Sequence, residues 1–142
     1  AIAEAIQEMW KQNLGINVEL RNEEWKVFQE TRNQGDFIIA RHGWIGDYVD
    51  PMTFLDMWLS NSGNNDADWF NDEYDKLIAD SKKAEGADRD ALMMQAEKLM
   101  MDEYITMPIY YYTKPTLLKS YVKGVHFSPL GFVFYHNATI EK

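Results

Sequence analysis

Ile2, Ile6, Met9, Trp10 and Leu14 recur three or four positions apart, the repeat of one helix face, and Gly15 follows where a left-handed cap would end the helix. Ile16, Val18 and Leu20 then alternate with Asn17 and Glu19, which predicts a half-buried strand. A second helix is expected over Glu23–Asn33, capped by Asn22 and ended by Gly35, with Glu23 and Glu24 in the first turn where the dipole favours anions. Trp25, Phe28 and Arg32 fall on one side of it. Phe37–Ala40 is a short apolar run, suited to a strand buried on both faces. Strand, helix, strand in this order predicts a βαβ unit with a parallel pair and a right-handed crossover. Open sheets of this kind hold ligands at the carboxyl ends of their strands.

The pattern changes over Arg41–Phe70, which carries Gly43, Gly46, Pro51, Gly63 and a polar run at Ser60–Asp68. Only Pro51–Trp58 reads as helical there, with Pro51 at a first helical position and Asp50 as its cap. Two helices follow. Asn71 caps one bearing Tyr74, Leu77, Ile78 and Ser81; Asp88 caps another bearing Leu92, Ala96, Leu99 and Met100. Gly86 lies in the link, so the pair is expected to form an antiparallel hairpin. Met107–Tyr112 reads as a strand with Pro108 near its start, and Val125–Phe127 and Phe132–Tyr135 as short strands. The fold class is therefore α/β, in one domain spanning residues 1–142. The chain opens on helical residues without an initiator Met, which reads as a segment of something longer.

Charge narrows the partners. With 23 acidic and 14 basic residues the net charge is -9, which argues against nucleic acid, because neutralising phosphates takes clustered Lys and Arg. Cysteine is absent, so no disulfide, thiolate metal site or Cys nucleophile exists. No apolar run reaches the roughly 20 residues that span a bilayer. Five Trp, eight Tyr and seven Phe supply rings for a core or for the walls of a binding cleft.

The segment Arg41-His42-Gly43-Trp44-Ile45-Gly46-Asp47-Tyr48 begins where the run Phe37–Ala40 ends. It gathers a cation, a large ring, two glycines and a carboxylate at the expected carboxyl edge of the sheet. A carboxylate there pairs with an ammonium, and an arginine takes a carboxylate through two parallel bonds; together they hold a zwitterion. The competing reading makes Asp47 a turn cap before Pro51 and gives Arg41 a surface acid.

Other chemistries have weaker signals. Asp47 and Asp50 could form a hydrolytic carboxylate pair, but no His or nucleophile stands beside them in a motif. His42, His126 and His136 are scattered. The stretch Asn64–Asp68 lacks the spacing of a calcium loop, and capping explains its residues. Met93, Met94, Met100 and Met101 form either a core stripe or an adaptable interaction surface. The residues suggest no catalytic group, no metal site and no cofactor.

Trp25-Lys26-x-Phe28, then Arg32, then Arg41-x-Gly43-Trp44, then Asp47-Tyr48-x-x-Pro51 and Phe54-Leu55 resemble the last part of the oligopeptide/dipeptide-binding proteins of ABC importers. The helical hairpin and Pro108-Ile109-Tyr110-Tyr111-Tyr112 match in order and spacing, so the resemblance covers essentially the whole chain. It implies a periplasmic-binding-protein-like lobe fragment, from the C-terminal lobe of a larger two-lobed solute-binding protein. It implies that Asp47 receives the α-amino group of a peptide, that Trp44 and Trp25 line side-chain pockets, and that Arg32 and Arg41 face the peptide's carboxyl end. Tyr110 or Tyr112 would lie against the peptide, with Gly43 and Tyr48 in the same site. Implied partners are a peptide and the ABC transporter permease subunits, with membrane contact only through the transporter or a lipid anchor. The implied location is extracytoplasmic, in the periplasm or as a cell-surface lipoprotein. A non-peptide solute, such as a metal chelate or sugar, is the alternative within the same class.

Overall fold

The computed structural model describes residues 1–141 and divides them into two compact units, residues 1–40 and 41 onward. In the first unit, helix α1 (Ile2–Leu14) ends on Gly15 at φ 68°; the Gly15 N–H returns to the Lys11 carbonyl at 3.2 Å and the Ile16 N–H to the Trp10 carbonyl at 3.3 Å. This is the left-handed cap that the sequence predicts. Helix α2 (Trp25–Asn33) starts later than the pattern suggests, and its cap is Glu24, not Asn22. The Glu24 carboxylate accepts the Lys26 N–H at 2.9 Å, while Glu23 is drawn 2.8 Å from Arg21. That local ion pair accompanies an extended, uncoiled stretch ahead of Trp25.

The expected βαβ unit is not built as a ladder. Residues 16–20 and 37–40 are not strands, and they do not pair with each other. The Val18 carbonyl instead accepts from the Gln7 side chain of α1 at 2.6 Å. Ile38 is 98% exposed, so the apolar run has not been covered. Alternation and apolar runs report a face that favours burial; a strand also needs a hydrogen-bonding neighbour, and none of the described residues supplies one.

The second unit holds the core. Helix α3 (Met52–Leu55) runs into a 3-10 turn, Asp56–Trp58. Pro51 precedes α3 as its cap residue, and the Asp50 carboxylate accepts the Met52 N–H at 2.8 Å, as the sequence suggests. Helices α4 (Asp72–Ser81) and α5 (Gly86–Asp102) pack against each other around Tyr74, Ile78, Met93, Ala96 and Met100. Full burial of residues such as Ile78 contributes about 1.5–3 kcal/mol each. Asn71 caps α4 through its side chain. Asp88 does not cap α5: Glu85 does, and the Arg89 N–H closes the first turn on its carbonyl. Met93 and Met100 are core residues, whereas Met94 faces solvent.

Met107–Tyr112 is not a strand either; it runs as irregular chain with Tyr111 97% exposed. Four two-residue strands close the chain. β1 (Val122–Lys123) pairs antiparallel with β4 (Thr139–Ile140), and β2 (His126–Phe127) with β3 (Val133–Phe134). Gly124, at φ 71°, lets the backbone pass so close to the Asn137 carbonyl that an added Cβ would lie 2.0 Å from its oxygen.

Candidate functional site

The loop 41–50 is held by the helix that follows it. Thr53, 1% exposed in α3, presents its hydroxyl to the loop. That oxygen accepts the Asp47 backbone N–H at 3.1 Å and the Trp44 indole N–H at 3.4 Å. Trp44 is half-buried, with its ring packed on the core, while the Asp47 side chain is exposed and its carboxylate accepts no hydrogen bond among the described residues. The Asp47 carboxylate therefore stands on a tethered backbone and faces water. Asp47 does not cap the turn before Pro51; Asp50 does that work, and it is also paired with Arg89 at 2.7 Å. This bond and the Met52 N–H hold the Asp50 carboxyl below its ordinary range. Asp50 is thus engaged with both Arg89 and the first turn of α3.

Tyr48 donates its hydroxyl to Asp56 at 3.2 Å. Partial burial, then the charge of Asp56 and the bond to it, with Asp50 and Asp47 behind, push its pKa up. It stays a neutral donor across the physiological range.

A second cluster forms where the chain returns 71 residues later. Arg41 Nη2 donates to the Tyr112 hydroxyl at 2.6 Å, and the Tyr110 and Tyr112 rings meet edge to face with centroids 4.8 Å apart. Hydrogen bonds from Tyr110 and then from Arg41 lower the pKa of Tyr112, while the bond with Tyr112 raises that of Tyr110. Gly43 lies beside this cluster: a Cβ there would be 3.6 Å from the Tyr112 ring and 3.7 Å from Arg41 Nη2. That is ordinary contact, so the glycine is not required by crowding within the chain.

His42 stacks near Trp44, with centroids 6.5 Å apart and planes 13° apart, and lies 3.8 Å from Asp66. Its ring also lies 5.8 Å from that of Trp58, so it packs among aromatic side chains. Within the first unit, Trp25 and Phe28 have centroids 5.9 Å apart, and the Arg32 guanidinium sits 5.9 Å over the Phe28 ring. The shared side predicted for Trp25, Phe28 and Arg32 is present.

The sequence did not single out three anchors. Thr53 is one. Glu103 is another: its carboxylate accepts the Trp69 indole N–H and the Asn71 side-chain amide, both at 2.7 Å. The third is Asn65, whose amide donates to the Leu59 and Trp69 carbonyls and so organises the loop once weighed as a calcium site. A helix read by its apolar face hides Thr53, and long-range polar pairs have no spacing signature.

Residues 1–66 match the family model for bacterial extracellular solute-binding proteins, family 5 (middle). The oligopeptide-binding protein OppA of Bacillus subtilis is 42% identical over 139 residues, 96% of this chain and 26% of its own length. The periplasmic oligopeptide-binding protein OppA of Salmonella typhimurium is 42% identical over 143 residues, with 99% and 26% covered. The crystal structure of Haemophilus influenzae OppA in complex with the peptide RPPGFSPFR aligns over 99% of this chain and 28% of its own, at 39% identity and a TM-score of 0.84. The chain is similar to the family 5 extracellular solute-binding proteins over almost its whole length. It has their periplasmic-binding-protein fold, of which it spans about a quarter of the length of the curated relatives it matches. The family is one of binding proteins acting outside the cytoplasm, not an enzyme class.

Proposed function

We propose that the protein carrying this chain binds oligopeptides outside the cytoplasm and delivers them to the permease subunits of an ABC transporter. The chain lies in its C-terminal lobe and carries the end of the cleft that receives the peptide's amine. The observation that carries this reading is the similarity, over 99% of the chain, to a solved oligopeptide-binding protein holding a peptide. The geometry is compatible with it. Asp47 offers an exposed carboxylate on a pinned backbone, and Trp44 stands beside it as a half-buried ring.

The roles follow from chemistry common to all peptides. Asp47 pairs with the α-ammonium through a charge-assisted bond. Trp44 and Trp25 each wall a side-chain pocket, and Arg41 and Arg32 are the groups suited to the carboxyl end. Gly43, Tyr48, Tyr110 and Tyr112 complete the lining. Ends and amides give affinity without sequence choice, and waters fill pockets that a small side chain leaves open. Closure of two lobes about a hinge then creates the form that the transporter accepts. The carrier is either free in the periplasm or tethered by lipid to the cell surface.

Calorimetric titration of the full-length protein with trialanine and N-acetyl-trialanine tests the reading. The free peptide is expected to bind more tightly, by about a hundredfold for the loss of a buried charge pair. Equal affinities for the two forms, or an Asp47→Asn variant that keeps the difference, would refute the amine-anchoring role.

A further inference from the structure

Thr53 bonds with one side chain to both Trp44 and Asp47 of the 44–47 loop. It is not itself exposed to a ligand: it is 1% accessible, the second residue of α3, and α3 packs on α5. Its hydroxyl oxygen has two lone pairs, enough for both donors it meets, the Asp47 amide at 3.1 Å and the Trp44 indole at 3.4 Å. Its methyl works on the same loop from the other side of the Cβ. A Cβ added to Gly46 would lie 3.1 Å from Thr53 Cγ2, closer than side chains ordinarily approach, and 3.4 Å from the Phe54 ring, at the near edge of ordinary contact. The polar half of Thr53 therefore ties the loop down at residues 44 and 47, and the apolar half limits how near residue 46 can come.

We propose that Thr53 is a positioning residue for peptide binding: through its hydroxyl it sets where the Asp47 carboxylate and the Trp44 ring stand when the amine arrives. This rests on the reading in which Asp47 receives the peptide's amine. The physical reason is the short reach of a charge-assisted bond, about 2.7–2.9 Å between heavy atoms. A loop that drifts by a fraction of that distance loses the amine while still covering the rest of the ligand. Loss of Thr53's hydroxyl should act on amine recognition in particular, not on affinity in general. Valine keeps the volume and removes the acceptor; serine keeps the acceptor and removes the methyl.

The test measures, by calorimetry on the full-length protein, the ratio of affinities for trialanine and N-acetyl-trialanine. Thr53→Val is expected to shrink this ratio about tenfold, the size of one lost hydrogen bond. Thr53→Ser is expected to restore it. Gly46→Ala pushes the loop against Cγ2 and is expected to shrink the ratio too, and Thr53→Ser in the same protein to rescue it by removing that methyl. A Thr53→Val protein whose two affinities fall together, with the ratio intact, overturns the proposal, as does a Thr53→Ser protein no better than Thr53→Val. Should Thr53→Val fail to fold, the Gly46→Ala pair decides: no rescue by serine overturns it. Asp47→Asn run alongside separates the two failures. If it removes the ratio while the Thr53 variants do not, only the positioning role falls; if it leaves the ratio unchanged, the amine reading itself falls, and the positioning role with it.

Discussion

Asp50 and Arg89, 39 positions apart, meet at 2.7 Å, and the same carboxylate oxygen caps α3 through the Met52 N–H. One acid thus joins the loop, the short helix behind it and the start of α5. Arg89 is the largest cause of the lowered Asp50 pKa. A carboxyl whose folded pKa lies below its unfolded value stabilises the fold above the unfolded value and loses that contribution as pH falls through the folded one. The melting temperature of the parent should therefore drop more steeply than that of Asp50→Asn below about pH 4, the unfolded aspartate pKa. Thermal melts across the acid range check this, and parallel curves would contradict it. Both side chains are partly exposed, so the effect is a modest slope and not a collapse.

Tyr74 is completely buried and donates its hydroxyl to the Leu55 carbonyl at 2.7 Å. Tyr74→Phe leaves that carbonyl without its partner in a dry core. The expected loss is about 1–3 kcal/mol of stability, read from denaturant unfolding. A phenylalanine variant as stable as the parent would mean that water reaches Leu55.

Glu103 accepts from Trp69 and Asn71 with its two oxygens. Glu103→Ala should cost about 1–3 kcal/mol, and Glu103→Gln less, because the amide retains one acceptor. Unfolding midpoints of the two variants give the order; alanine and glutamine behaving alike would argue that the pair of bonds is not the source.

Gly124→Ala combines a φ of 71° with a Cβ 2.0 Å from the Asn137 oxygen. The backbone must move, which breaks the approach of β1 to β4. Left-handed strain alone costs about 1–2 kcal/mol, and the clash adds to it. Faster proteolysis confined to the last twenty or so residues is expected; hydrogen exchange across β1 and β4 unchanged from the parent would contradict it.

Legibility in the sequence followed the range of the interaction. The cap at Gly15, the capping by Asp50 and Asn71, and the α4–α5 hairpin are set by neighbours a few positions away, and all were readable. Ile16–Leu20 and Phe37–Ala40 carry a strand pattern without a strand because a strand needs a hydrogen-bonding neighbour, and none of the described residues supplies one. Within the candidate site, Arg41, Trp44 and Asp47 stood out by residue type and by their place after an apolar run. Their supports did not: Thr53 looks like any small helical residue, and nothing in the spacing of Arg41 and Tyr112 announces that they touch.

The bond between Arg41 and Tyr112 joins two residues 71 positions apart, with both hairpin helices between them. Bringing such distant ends together costs chain entropy that local contacts do not. The hairpin can form early from contacts between neighbours, whereas the tyrosine cluster can only be assembled once that hairpin has shortened the path between the ends. The Arg41–Tyr112 contact should thus mature after the hairpin, and a kinetic probe on Tyr112 should lag one on Tyr74.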